Sequence, residues 1–203
     1  MMNKIIIGIS GKIGSGKTTF ATFLSNNLEK FNLPYRFINF ADKLKEITYV
    51  LTGKNGYTQE EKQEFLPDWN LTVGQILQKL GTEVMRDNFD KDVWVKSTLS
   101  EIRRDDKTQV FIIGDCRFTN EASFIKDCNG ILIRINGDPA NVRRNSTRDL
   151  NHPSETGLDN YNGFDFVFEN NLSIDNLIQF SEHIADRINY QLKYKSEIEK
   201  NIF

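Results

Sequence analysis

Residues 5–19 read I-I-I-G-I-S-G-K-I-G-S-G-K-T-T. Ile5, Ile6, Ile7 and Ile9 form a short β-branched run, the pattern of a central parallel strand buried on both faces. A glycine-rich turn follows. Phe20, Phe23, Leu24, Leu28 and Phe31 then recur at helical spacing. Gly11, Gly16, Lys17 and Thr18 stand at G-x-x-x-x-G-K-[ST], with the strand, loop and helix context that this phosphate-binding motif requires. Glycines at 11, 14 and 16 let the backbone come close to a ligand. The loop N–H groups then converge on phosphate oxygens at a helix N-terminus. Gly14, Ser15, Gly16, Lys17, Thr18 and Thr19 are thus the candidate ATP site. Lys17 reaches the outer phosphates, the Thr18 hydroxyl ligates Mg²⁺, and Thr19 faces the α-phosphate.

At 203 residues the chain fits one α/β domain with a substantial core. A formal net charge of −2 gives no global electrostatic case for nucleic acid. The apolar run at 5–9 is too short for a signal peptide or a membrane span, so a cytoplasmic protein without a membrane partner is expected. Cys116 and Cys128 are too few for a disulfide framework and lack metal-site spacing.

Further strands are expected at 35–40, 109–114, 130–135 and 164–168. Helices are expected at 41–51, with Ala41, Leu44, Ile47 and Leu51 on one face, and from Thr72, with Val73, Ile76, Leu77, Leu80 and Val84 inward. Gln75 completes a capping box with Thr72, and Gly81 within that helix signals close packing or ligand approach. A helix over 90–103 turns Val95, Leu99 and Ile102 inward, Thr119 caps a short helix, and a long C-terminal helix frays after Tyr194. Residues 53–70 read as a loop with one helical turn at most. Strands alternating with helices imply a doubly covered, five-stranded parallel sheet, with ligands beyond the carboxyl ends of the strands.

Asp115 ends the second strongly buried strand, where P-loop proteins hold the Mg²⁺ shell. A turn or helix cap is the plainer alternative. Arg117, at the same strand tip, suits a second phosphate group; without a ligand it is a surface ion pair. Cys116 between them reads as a small buried residue. P-loop hydrolases need a group there to position water, and cysteine cannot do so. There is no N-K-x-D, and the D-x-x-G at 127–130 follows a helix. Transfer to a bound acceptor therefore fits better than hydrolysis. Residues 137–162 are polar and carry Arg143, Arg144 and Arg148, either a lid that closes over the phosphoryl group or a solvated charged helix. Lys45 and Arg86 are the remaining cations near crevice edges, and Arg86 equally suits a helix C-terminus. His152 is a hinge or a ligand contact, and the roles of His152 and Glu155 stay open.

F-A-D-K-L-K (40–45), Q-K-L-G-T-E-V-M-R-D (78–87), D-V-W-V (92–95), D-C-R-F-T-N-E-A (115–122) and H-P-S-E (152–155) together resemble the phage-type deoxynucleoside monophosphate kinases. The resemblance implies a P-loop three-layer α/β/α fold over residues 1–203. It also implies a helical monophosphate-binding region near 41–105 and a lid near 137–162. The implied activity is transfer of the ATP γ-phosphoryl to a deoxynucleoside monophosphate with Mg²⁺, in the host cytoplasm if phage-encoded. By position, residues 14–19 hold ATP, Asp115 and Arg117 fill the D-x-R site, and Lys45 and Arg86 bind the acceptor. The lid arginines match in kind. Many relatives carry Asp after the loop lysine, where this chain has Thr18. Another small-molecule kinase, such as one acting on dephospho-coenzyme A, and a non-catalytic nucleotide-binding module are the rival readings. A homodimer is left open.

Overall fold

The structure is a computed structural model that describes residues 4–143, 153–171 and 173–201. In chain order, β1 (Ile5–Ser10) leads through the glycine loop into α1 (Lys17–Lys30), and β2 (Tyr35–Ile38) leads into α2 (Asp42–Thr52). A short α3 (Gln59–Gln63) and the strands β3 (Phe65–Leu66) and β4 (Leu71–Thr72) precede α4 (Val73–Gln78), which continues as a π-helix (Lys79–Arg86). Then come α5 (Val93–Arg104), β5 (Val110–Ile113), α6 (Thr119–Asp127), β6 (Ile131–Asn136), α7 (Pro153–Thr156), β7 (Phe166–Glu169) and α8 (Ile174–Asn201). The chain divides into two compact units, one made of Met1–Ile38 with Asp105–Phe203, the other of Asn39–Arg104.

The first unit is the expected α/β fold. Its five strands run parallel in the order β2-β5-β1-β6-β7. β1 lies in the middle, which is why six successive residues of the opening strand are all buried. Ile5, Ile7 and Ile9 share one face with Ile112, Ile133 and Ile135, packed beneath Phe20, Leu24 and Leu28 of α1 and Leu177, Ile184 and Ile188 of α8. The opposite face meets α6. A Cβ on Gly8 would lie 2.1 Å from Ile125 Cδ1 and 3.0 Å from Leu132 Cδ1, so a side chain there would have to displace Ile125. The Phe20, Phe180 and Phe168 rings stack in series, with centroid spacings of 5.2 and 4.7 Å.

Two local expectations change in this unit. The α6 cap is Phe118, not Thr119. The buried Glu121 carboxylate reaches back to accept from the N–H groups of Arg117 (2.8 Å) and Phe118 (3.1 Å), the half of a capping box that the third helical residue supplies. The helix expected to fray after Tyr194 continues to Asn201.

The second unit departs further from the pattern. Residues 53–70 are not a plain loop. α3 carries a full Thr58–Glu61 capping box, and β3 pairs antiparallel with β4, Phe65 opposite Thr72. On α2 the buried side chain is Thr48, while Ile47 and Leu51 are 37% and 49% exposed. The Thr72–Gln75 capping box forms as expected. From Lys79 the helix switches to π geometry, and the Asp87 N–H bonds to the Thr82 carbonyl five residues back. The longer turn rotates the apolar stripe, which leaves Val84 50% exposed. Gly81 is closely packed as expected, since a Cβ would sit 2.6 Å from Leu44 Cδ2. α5 turns Trp94, Thr98 and Ile102 inward, one position round from Val95 and Leu99. Among the described residues no helix is long and apolar enough to cross a membrane.

Candidate active site

The glycine loop leaves the carboxyl end of β1 and enters α1 at Lys17. Gly14 and Gly16 take φ of +77° and +92°, left-handed values that side chains resist. A side chain at either would also displace a hydrogen-bonded neighbour. A Cβ on Gly14 would lie 2.3 Å from Asp138 Oδ1, and one on Gly16 2.4 Å from Asn170 Nδ2. Asn170, buried just past β7, donates from Nδ2 to the Ser15 carbonyl at 2.9 Å. Lys17 folds over the loop, donating from Nζ to the carbonyls of Gly11 (2.6 Å) and Lys12 (2.8 Å). Thr18 and Thr19 are exposed on the first turn of α1. Ser15 is fully buried, and its Oγ has no hydrogen-bond partner among the described residues.

Beside this loop lies the turn that follows β5. The Cys116 N–H donates to the Ile9 carbonyl at 3.3 Å, which fixes Asp115, Cys116 and Arg117 against the end of β1. Asp115 is half-buried. Burial, with the charges of Glu121 and Asp115, pushes the Cys116 thiol well above its usual range, as suits a packing residue. Arg117 Nη1 donates to Glu155 Oε1 at 3.0 Å. The other Glu155 oxygen accepts from the Ile13 N–H at 3.1 Å. At the next peptide unit, Arg143 Nε donates to the Ile13 carbonyl at 3.0 Å, and its Nη2 bonds the Gly137 carbonyl. The structure thus brings the loop, Arg117, Arg143 and Glu155 together, although H-P-S-E gave no role for the glutamate. Arg144, Arg148 and His152 lie outside the described residues.

A second set of charges, not foreseen from the sequence, sits under the loop. Arg134 in β6 is buried and donates to Asp159 Oδ1 (2.8 Å), Ser10 Oγ (3.1 Å) and Asn136 Oδ1 (3.1 Å). Asp159 also pairs with the loop's Lys12 at 2.7 Å. Burial alone would raise the Asp159 carboxyl, but Lys12 and Arg134 outweigh it and hold it below its ordinary value. The available signal was one arginine in the otherwise apolar I-L-I-R-I-N.

Within the second unit, Lys45 is half-buried with its ammonium 4.6 Å from the Tyr57 ring centroid. Arg86 closes the π-helix.

Comparison with known proteins bears on what this geometry serves. A putative deoxynucleotide monophosphate kinase of Acanthamoeba polyphaga mimivirus is 32% identical over 186 residues, which cover 84% of this chain and 91% of that protein. TT1252 from Thermus thermophilus shares the fold at 17% identity, with a TM-score of 0.52 over 91% of this chain and 98% of its own. The family model for deoxynucleotide monophosphate kinase matches residues 39–180, which take in Lys45, Arg86, the Asp115–Arg117 turn and Glu155, and the chain belongs to that family.

Proposed function

We propose a division of labour for transfer of the ATP γ-phosphoryl to a deoxynucleoside 5′-monophosphate. Residues 14–19 hold the donor phosphates on converging N–H groups, and Lys17 neutralises their charge. Arg117, with Lys45 and Arg86, takes the acceptor phosphate. Arg143, Arg144 and Arg148 supply positive charge to the transferring group. The acceptor is largely dianionic at neutral pH, its second pKa being about 6, so it needs no strong general base. Catalysis then reduces to positioning two anions and neutralising charge. On this reading residues 41–105 serve the monophosphate and residues 137–162 close over the phosphates.

The donor set suits Mg²⁺. Thr18 offers an exposed hydroxyl and Asp115 a carboxylate, both hard oxygen donors. Among the described residues no cluster of three or more His, Cys, Asp or Glu could hold a metal by itself, which favours an ion arriving with the nucleotide. When bound, Mg²⁺ screens the donor phosphates as charge moves between oxygens.

The supporting observation is the bond from the Cys116 N–H to the Ile9 carbonyl. It seats an acid and an arginine at the rim of the phosphate loop, with no water-positioning acid between them. The test is ADP release with ATP and Mg²⁺ across the four deoxynucleoside monophosphates and dephospho-coenzyme A. Release that depends on at least one deoxynucleotide, and not on dephospho-coenzyme A, is expected. Release with dephospho-coenzyme A alone, or ATP binding without acceptor-dependent turnover, would overturn it.

A further inference from the structure

The Ile13 backbone is held at two points by residues remote in sequence, its N–H by Glu155 and its carbonyl, in the next peptide unit, by Arg143. Glu155 is also the partner of Arg117. Its side chain is 4% exposed, so this is not a solvated rim pair. A carboxylate that deep is stable only when paired and hydrogen-bonded, and here both oxygens are engaged. α7 is pressed onto the Arg117 turn. A Cβ on Gly157, the next residue after the helix, would lie 2.8 Å from the Arg117 carbonyl. Arg117 Nη1 also donates to the Ser154 carbonyl at 3.3 Å. With Nη1 so engaged, a forked contact to phosphate falls to the Nε and Nη2 edge of the guanidinium.

We propose that Glu155 is the positioning residue that ties Arg117 to the tip of the phosphate loop. One buried carboxylate thereby sets the spacing between the group that holds the acceptor and the loop that holds the donor. This rests on Arg117 holding the acceptor phosphate, as proposed above. Glu155 touches no reacting atom. It acts through the Ile13 N–H on one side and the guanidinium on the other, and small errors in such spacing cost rate steeply.

A double-mutant cycle on the full chain tests it, with wild type, Glu155→Gln, Arg117→Ala and the double variant. KM for the accepted deoxynucleotide, KM for ATP, kcat and the melting midpoint are measured for each. Glutamine keeps an oxygen for Ile13 but loses the charge pair. Glu155→Gln is expected to raise the acceptor KM by about fivefold or more, with the ATP KM held within about twofold. The double variant is expected to be no worse than Arg117→Ala within about twofold. Additive losses, or equal rises in both KM values, overturn the proposal while leaving Arg117 as the acceptor ligand. An unchanged acceptor KM in Arg117→Ala removes the acceptor assignment itself, and this proposal with it. If Glu155→Gln melts well below wild type, Glu155→Asp, which keeps the charge, replaces it in the cycle under the same criterion.

Discussion

The indole N–H of Trp94 donates to the Gly81 carbonyl at 3.1 Å, and both residues are buried. The bond joins D-V-W-V to Q-K-L-G-T-E-V-M-R-D inside the π-helix that ends at Arg86. Trp94→Phe removes this hydrogen bond and part of the buried ring, at a cost of about 1–2 kcal/mol. The melting midpoint should fall by several degrees, and the acceptor KM should rise while the ATP KM stays put. A Phe variant with wild-type melting and wild-type acceptor KM would disprove a positioning role for this bond.

Lys17 is the cation closest to the donor phosphates in the proposed arrangement. Lys17→Ala is expected to lower turnover by about 10²-fold or more, as expected for loss of a charge that stabilises the transition state. Far-UV circular dichroism and the melting midpoint should remain close to wild type. Substantial activity in the alanine variant would defeat the loop assignment.

Arg134→Met keeps bulk but removes the guanidinium from Asp159, Ser10 and Asn136. Ser10 and Asn136 then lose a buried donor while Asp159 keeps Lys12, so a loss of about 1–3 kcal/mol in denaturant unfolding is expected. A midpoint unchanged within error would mean that the network carries little stability.

Asp105 ties down the turn that begins the return to β5. Its carboxylate accepts from the Lys107 N–H (3.0 Å), the Thr108 N–H (2.9 Å) and Thr108 Oγ1 (2.8 Å), with Arg36 Nη1 at 3.5 Å. Burial alone would raise its pKa, but these partners outweigh burial and hold it at about 2, against an ordinary 3.8. A depressed folded value means the stability is present above the unfolded value and lost as pH falls through the folded one. Asp105→Asn should therefore cost about 1–2 kcal/mol near neutral pH, a gap that narrows between about pH 4 and pH 2. Melting across that range is the measurement, and a constant gap would refute the ionic account.

The sheet and the loop were readable because their determinants are local. Four isoleucines in residues 5–9 and glycines at fixed offsets carry the reading by themselves. The second unit was harder. The π turn changes the helical period partway, so a stripe counted at 3.6 residues misplaced Val84, and two-residue strands are too short to show alternation. The site shows the same divide. Lys17 and Asp115 stand at motif positions. Glu155 bonds a peptide 142 residues away, and Arg134 meets Ser10 across 124, separations at which no local pattern identifies the partner.

All of Asn39–Arg104 lies between β2 and β5, strands that pair directly, with Ile38 opposite Ile113. Strand pairing stops one residue before this excursion and resumes only after Asp105 has closed it. The excursion is a cassette. It carries Lys45, the hairpin, the π turn and Arg86 in one block, and none of the five parallel strands lies within it. If residues 41–105 serve the monophosphate as proposed, a change of accepted nucleotide is written in one contiguous stretch of gene set between two paired strands.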